Sequence, residues 1–104
     1  MMEEHAACAA EEQKSHHPES VKKNLVTRLN RIEGQIPEIK GMIEEDMYCD
    51  DIVTQIAATQ SALNSVAAML LEGHVKTCVT ERIQEGDLEV IEELIVTVQK
   101  LMKK

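Results

Sequence analysis

Apolar residues recur at helical spacing along most of the chain. Val21, Leu25, Leu29, Ile32, Ile36, Ile39 and Ile43 follow one another at intervals of three or four, the signature of one buried helix face. They predict a first helix from Glu19 or Ser20 to about residue 46. Pro37 falls inside it, where the ring removes one backbone hydrogen bond and crowds the carbonyl of Glu33. A kink is expected there, with Gly34 giving room. A turn follows at 44–47, and Asp46 or a polar neighbour is suited to cap the next helix. Ile52, Val53, Ile56, Gln60, Leu63, Val66, Ala67 and Leu70 then mark a second helix over roughly 50–82, about 50 Å long. Gly86 is placed to stop it and Asp87 to cap a third helix over about 87–102. That helix sets Leu88, Ile91, Leu94, Ile95, Val98, Leu101 and Met102 on one broad face. It is too short to hold its shape alone in water and is expected to pack on the others.

The pattern is all-α, and its lengths matter. A 104-residue monomer has a radius of gyration near ~13 Å, and a ~50 Å helix overhangs any core of that size. Its apolar stripe therefore requires a second copy of the chain. The expected architecture has three helices per protomer. The two long ones form an antiparallel four-helix bundle in the dimer, with the short third helix packed on it. Residues 1–19 lack an amphipathic face and read as a flexible arm ahead of a single helical domain at 20–104.

Composition narrows the setting. No apolar run approaches the ~20 residues that span a bilayer, and the first residues do not resemble a signal peptide. Three cysteines without such a signal point to a reduced, cytoplasmic location rather than a disulfide framework. No nucleophile–base pair or phosphate-binding loop suggests an enzyme. The net charge of −8 argues against nucleic acid, but its distribution is uneven. Residues 1–19 hold five acids against one lysine, a net of −4. Residues 20–40 hold Lys22, Lys23, Arg28, Arg31 and Lys40 against Glu33 and Glu38, a net of +3. A local basic stripe of this kind is what phosphate contacts need.

Candidate chemistry lies along the second helix. His74 and Cys78 are four residues apart, so a helix stacks them on one face, one turn from each other. An imidazole nitrogen and a thiolate so placed can grip one soft metal ion. A third ligand is needed, and Cys49 is the candidate. It precedes His74 by 25 residues, roughly 37 Å of continuous helix, so one chain cannot close the site. An antiparallel partner can, if the helices cross near Ala62 and Leu63, where Ala57, Ala58, Ser61, Ala62 and Ser65 allow close approach. The inference is two equivalent sites, each shared between protomers.

RLNRIEGQ at 28–35, YCDDIVTQI at 48–56 and EGHVKTCV at 72–79 together resemble the copper-sensing CsoR/RcnR-type repressors, over about residues 20–102. The resemblance implies a homotetrameric repressor that holds operator DNA until Cu(I) binds, releasing copper-efflux genes from repression. It implies Cys49, His74 and Cys78 as the metal ligands. Two thiolates and an imidazole suit Cu(I), while Zn(II) would want a fourth ligand. In the family a tyrosine beside the first cysteine and a glutamate on the third helix support the bound histidine. Tyr48 matches the first and Glu93 the second. The loop before Glu93 reads one residue shorter than in some relatives, which keeps Glu92 as the alternative. Arg28 falls where the family places a DNA-contacting arginine, with Arg31, Lys22, Lys23 and Gln55 as further contacts. The middle of the second helix departs from the pattern. Leu63-Asn64-Ser65 carries no charge where relatives often have a basic residue.

Three other readings compete. Nickel-sensing relatives carry a histidine about as far before the first cysteine as His17, so His17 as an accessory ligand would favour Ni(II) or Co(II). Persulfide-sensing relatives use two cysteines alone, and His74 argues against that. A copper chaperone or store would bind metal without DNA. If the chain is the copper sensor, a copper chaperone is a natural donor. The remaining candidates of the arm, His5, Cys8 and His16, carry less weight.

Overall fold

The computed structural model describes residues 17–103; the expectations for His5, Cys8 and His16, and for most of the arm, lie outside them. Among the described residues every regular element is helical. Helix α1 spans Glu19–Glu44 and includes Pro37 in one unbroken element. Helix α2 spans Cys49–His74. It continues through a π-helical turn, Val75–Val79, into a last α-helical turn, Thr80–Gln84. Helix α3 spans Glu89–Met102. The described residues form the all-α, three-helix arrangement expected of the chain.

Residues 19–68 form one compact unit. Its buried positions are Leu25, Ile32 and Ile39 on α1 and Thr59 and Val66 on α2. Each set steps by seven, the repeat of a helix–helix seam. The Thr59 hydroxyl lies 3.0 Å from the Gln35 Oε1 and 3.0 Å from the Gln55 carbonyl, and its single proton serves one at a time. Gln35 is nine residues before the end of α1 (44 − 35) and Thr59 ten after the start of α2 (59 − 49). The pairing is thus that of an antiparallel hairpin.

The turn at 45–48 corrects one expectation. Asp46 does not cap α2; it closes α1. Its φ is 54°, its amide donates to the Ile43 carbonyl (3.1 Å), and the Met47 amide donates to the Met42 carbonyl (3.0 Å). This 6→1 and 5→2 pair is a Schellman ending, and aspartate is one of the few residues that tolerates the left-handed position.

The other compact unit contains residues 69–103 with His17 and Pro18. The same Schellman ending recurs at Gly86, φ 88°. Gly86 N–H donates to the Ile83 carbonyl (3.0 Å) and Asp87 N–H to the Arg82 carbonyl (2.9 Å). Gly86 therefore stops the second helix, as its place in the sequence predicts. Asp87 does not cap the third. The N-cap position is Leu88, without a side-chain cap, because the Asp87 carboxylate is engaged by Arg82. Glu89 and Glu92 in the first turn of α3 favour the positive end of its dipole instead. Cys78, Val79, Arg82 and Val90 are the buried residues here, and α3 packs against the π-turn.

Candidate metal centre

His74 is the last residue of α2 and Cys78 lies in the π-turn that follows. No feature of the residue pattern signals this turn. In it the Thr80 amide reaches back to the Val75 and Thr77 carbonyls. The Thr77 hydroxyl donates to the Gly73 carbonyl (2.8 Å) and the Thr80 hydroxyl to the Val75 carbonyl (2.7 Å). These threonine back-bonds occupy carbonyls that a widened turn leaves less well served. The widening re-aims Cys78 relative to His74 by comparison with a regular α-turn. Cys78 is fully buried. Its sulfur is held in a disulfide, so service as a thiolate ligand requires reduction.

The His74 Nδ1 is buried and has no hydrogen-bond partner. Burial, then the charges of His17 and Arg82, hold the imidazole below the usual histidine pKa, against an opposing pull from Glu93. The ring is therefore neutral at pH 7, the form a metal needs. His17 packs on the same turn, and both its ring nitrogens are buried without partners. A Cβ added at position 73 would fall 2.6 Å from the His17 Nδ1, so Gly73 admits the ring where a larger residue would not.

Cys49 opens α2 and is an exposed, free thiol. Tyr48, beside it, is 74% exposed. Among the described residues no three histidine, cysteine or acidic side chains of this single chain converge on one point as a metal site. The structure groups His74, Cys78, His17 and Glu93 in one compact unit and carries Cys49 and Tyr48 in the other.

Glu93 is already engaged. Its two oxygens accept from the Arg82 Nη1 (2.9 Å) and Nη2 (3.0 Å), while the Arg82 Nε donates to the Asp87 Oδ2 (2.8 Å). The Arg82 hydrogen bonds hold the Glu93 carboxyl below the usual carboxylate range. Glu92, the alternative, lies exposed in the first turn of α3. Sequence reasoning misses Arg82, although its signal is present. His74, Cys78 and Arg82 follow at four-residue steps, so the sequence alone extends the helix face of His74 and Cys78 by one turn to Arg82.

The basic stripe lies on α1. Lys22, Lys23, Arg28 and Arg31 are all exposed. Lys22 pairs with Glu19 at 3.5 Å, a solvent-screened contact of little energy. Arg28 Nε donates to the Asn24 Oδ1 at 3.1 Å. A shallow cleft of about 420 Å³ lies among Glu19, Lys22, Lys23, Val26 and Thr27. Gln55 is half-buried on α2.

Comparison with known proteins places this arrangement. The model of the metal-sensitive transcriptional repressor family matches residues 21–100. The chain is 46% identical over 90 residues to the copper-sensing transcriptional repressor CsoR of Bacillus subtilis (strain 168), covering 85% of this chain and 89% of that protein. It is 54% identical over 65 residues to the copper-sensing transcriptional repressor RicR of Mycobacterium tuberculosis (strain ATCC 25618 / H37Rv), covering 62% and 68%. The crystal structure of the copper-sensing repressor CsoR with Cu(I) from Geobacillus thermodenitrificans NG80-2 superposes with a TM-score of 0.75 at 38% identity, covering 88% of this chain and 95% of that one. The chain thus belongs to the metal-sensitive transcriptional repressor family.

Proposed function

We propose that this protein is a Cu(I)-responsive repressor that holds operator DNA and leaves it when copper binds, derepressing copper-efflux genes. The observation that carries the reading is the orphaned His74 Nδ1, one turn from Cys78, in a chain whose relatives are named copper sensors. A buried polar atom without a partner costs about 1–3 kcal/mol, which a metal ligand role explains. His74 and Cys78 of one protomer and Cys49 of its partner would hold the ion. Cu(I) supplies a soft centre content with two thiolates and one imidazole. Tyr48 and Glu93 would orient the imidazole through its other nitrogen.

The shared site requires an oligomer, and the surface supports one. Leu29, Ile36 and Ile43 on α1 and Ile56, Leu63 and Leu70 on α2 are exposed. Each set again steps by seven. A second apolar seam therefore runs beside the buried one, suited to a second copy in a four-helix bundle. The exposed Leu88, Ile91 and Ile95 of α3 suit assembly of dimers into tetramers. No described helix is long and apolar enough to cross a membrane; we place the protein in the cytoplasm, as a regulator rather than an enzyme, supplied by a copper chaperone.

The test is a gel shift of reduced protein on the DNA upstream of its own gene, with and without Cu(I). Copper should weaken binding by 5- to 150-fold, the usual range of allosteric coupling. No DNA binding at all would leave a copper chaperone or store. A second reading has one observation in its favour: His17 offers two unpartnered nitrogens beside His74. If Ni(II) or Co(II) releases the DNA and Cu(I) does not, His17 is a ligand and the metal is reassigned.

The DNA contacts have their own test. Arg28→Ala and Arg31→Ala should each weaken operator binding and lower the log–log salt slope by about 0.9 for each phosphate no longer neutralised. Cu(I) uptake should not change. Unchanged slopes in both variants would make the α1 stripe ordinary surface.

A further inference from the structure

Among the described residues, Arg82 is the buried charged side chain. Its fork grips both oxygens of Glu93 and its Nε holds Asp87, so it ties the last turn of the second helix to the loop and to α3. As mere glue this is an uneconomical choice, since an apolar residue of similar size often holds such a contact equally well. What an ion pair adds is an alternative partner. Glu93 is carried by α3, which packs against the π-turn that follows His74 in the same compact unit, and the His74 ring feels the charges of both Arg82 and Glu93.

We propose that Arg82 is a positioning residue that sets the copper threshold, by competing with the imidazole N–H of His74 for the carboxylate of Glu93. This rests on the copper-repressor reading. Ligation at one ring nitrogen fixes the other as an N–H donor. That donor makes one hydrogen bond, whereas the guanidinium makes two charge-assisted ones. Arg82 therefore biases Glu93 away from His74, and the imidazole captures it only when metal binding favours the exchange. The balance between the two partners, not the ligands alone, then fixes how much copper moves α3.

The test compares wild type with Arg82→Gln and Arg82→Lys. Gln removes the charge and the fork, while Lys keeps the charge but offers no fork. Operator release should occur at about tenfold lower free Cu(I) in R82Q, equivalent to about 1.4 kcal/mol, with R82K between it and wild type. On a Glu93→Gln background, changing Arg82 should no longer move the threshold. Without copper, a double-mutant cycle on thermal unfolding should show Arg82 and Glu93 coupled. With copper, the imidazole 15N resonance of His74 should show a stronger hydrogen bond in R82Q. A wild-type protein that ignores Cu(I) sinks the repressor reading, and this proposal with it. A wild type that responds, beside R82Q and R82K thresholds equal to or above its own, overturns the competition alone. If R82Q does not fold, R82K carries the same comparison.

Discussion

His74→Ala should bind copper and fail to act on it. Cys49 and Cys78 from two chains can hold Cu(I) as a two-coordinate ion, so the variant should still take up one metal per site, more weakly. It should lose the link from the metal to α3. With no imidazole N–H to donate, nothing competes with Arg82 for Glu93, whose oxygens stay at 2.9 and 3.0 Å from the guanidinium. Regulation requires that copper bind the two conformations of the protein with different free energy, typically by 1–3 kcal/mol. Without His74 that difference should fall to near zero, and repression should persist in excess copper. Two measurements check this: Cu(I) affinity by competition with a chelator, and operator affinity with saturating copper. A His74→Ala protein that binds Cu(I) and leaves its operator as wild type does would place the switch in the thiolates alone.

Much of this arrangement can be read from the chain, for physical reasons that also mark where reading stops. The spacing of Leu25, Ile32 and Ile39 identifies α1 because burial on one face leaves a periodic trace. It does not separate that seam from the one at Leu29, Ile36 and Ile43, since both are apolar at the same repeat. Burial in a single chain tells them apart. Gly86 marks the end of the second helix because φ of 88° suits glycine. Asp46 takes the same role at the end of α1 but reads as an N-cap, because aspartate serves both ends of helices. The π-turn leaves no periodic signal, being five residues long. Its threonines look like ordinary helix positions until their hydroxyls are seen bonded to the carbonyls behind them. Asp87 reads as a cap and Arg82 goes unnoticed, because sequence does not reveal that their partners lie across a turn.

Co-expression of Cys49→Ala and Cys78→Ala chains should restore what neither has alone. Cys49 opens α2 and His74 closes it, and 26 residues of α-helix are about 39 Å long. In a heterodimer of the two variants, the Cys49→Ala chain still offers His74 and Cys78, and its partner still offers Cys49. One complete three-ligand site forms. The opposite site keeps only a histidine. The reduced heterodimer, separated by two affinity tags, should therefore bind one Cu(I) at wild-type affinity, against two for the wild-type dimer. Each homodimeric variant should show none at that affinity, because both of its sites lack the same thiolate. Gel shifts on the heterodimer add a second reading. A single completed site should give a partial response, with less coupling than two. If the heterodimer shows no wild-type-affinity site, the three ligands come from one chain. The second apolar seam would then have to be explained without a shared metal.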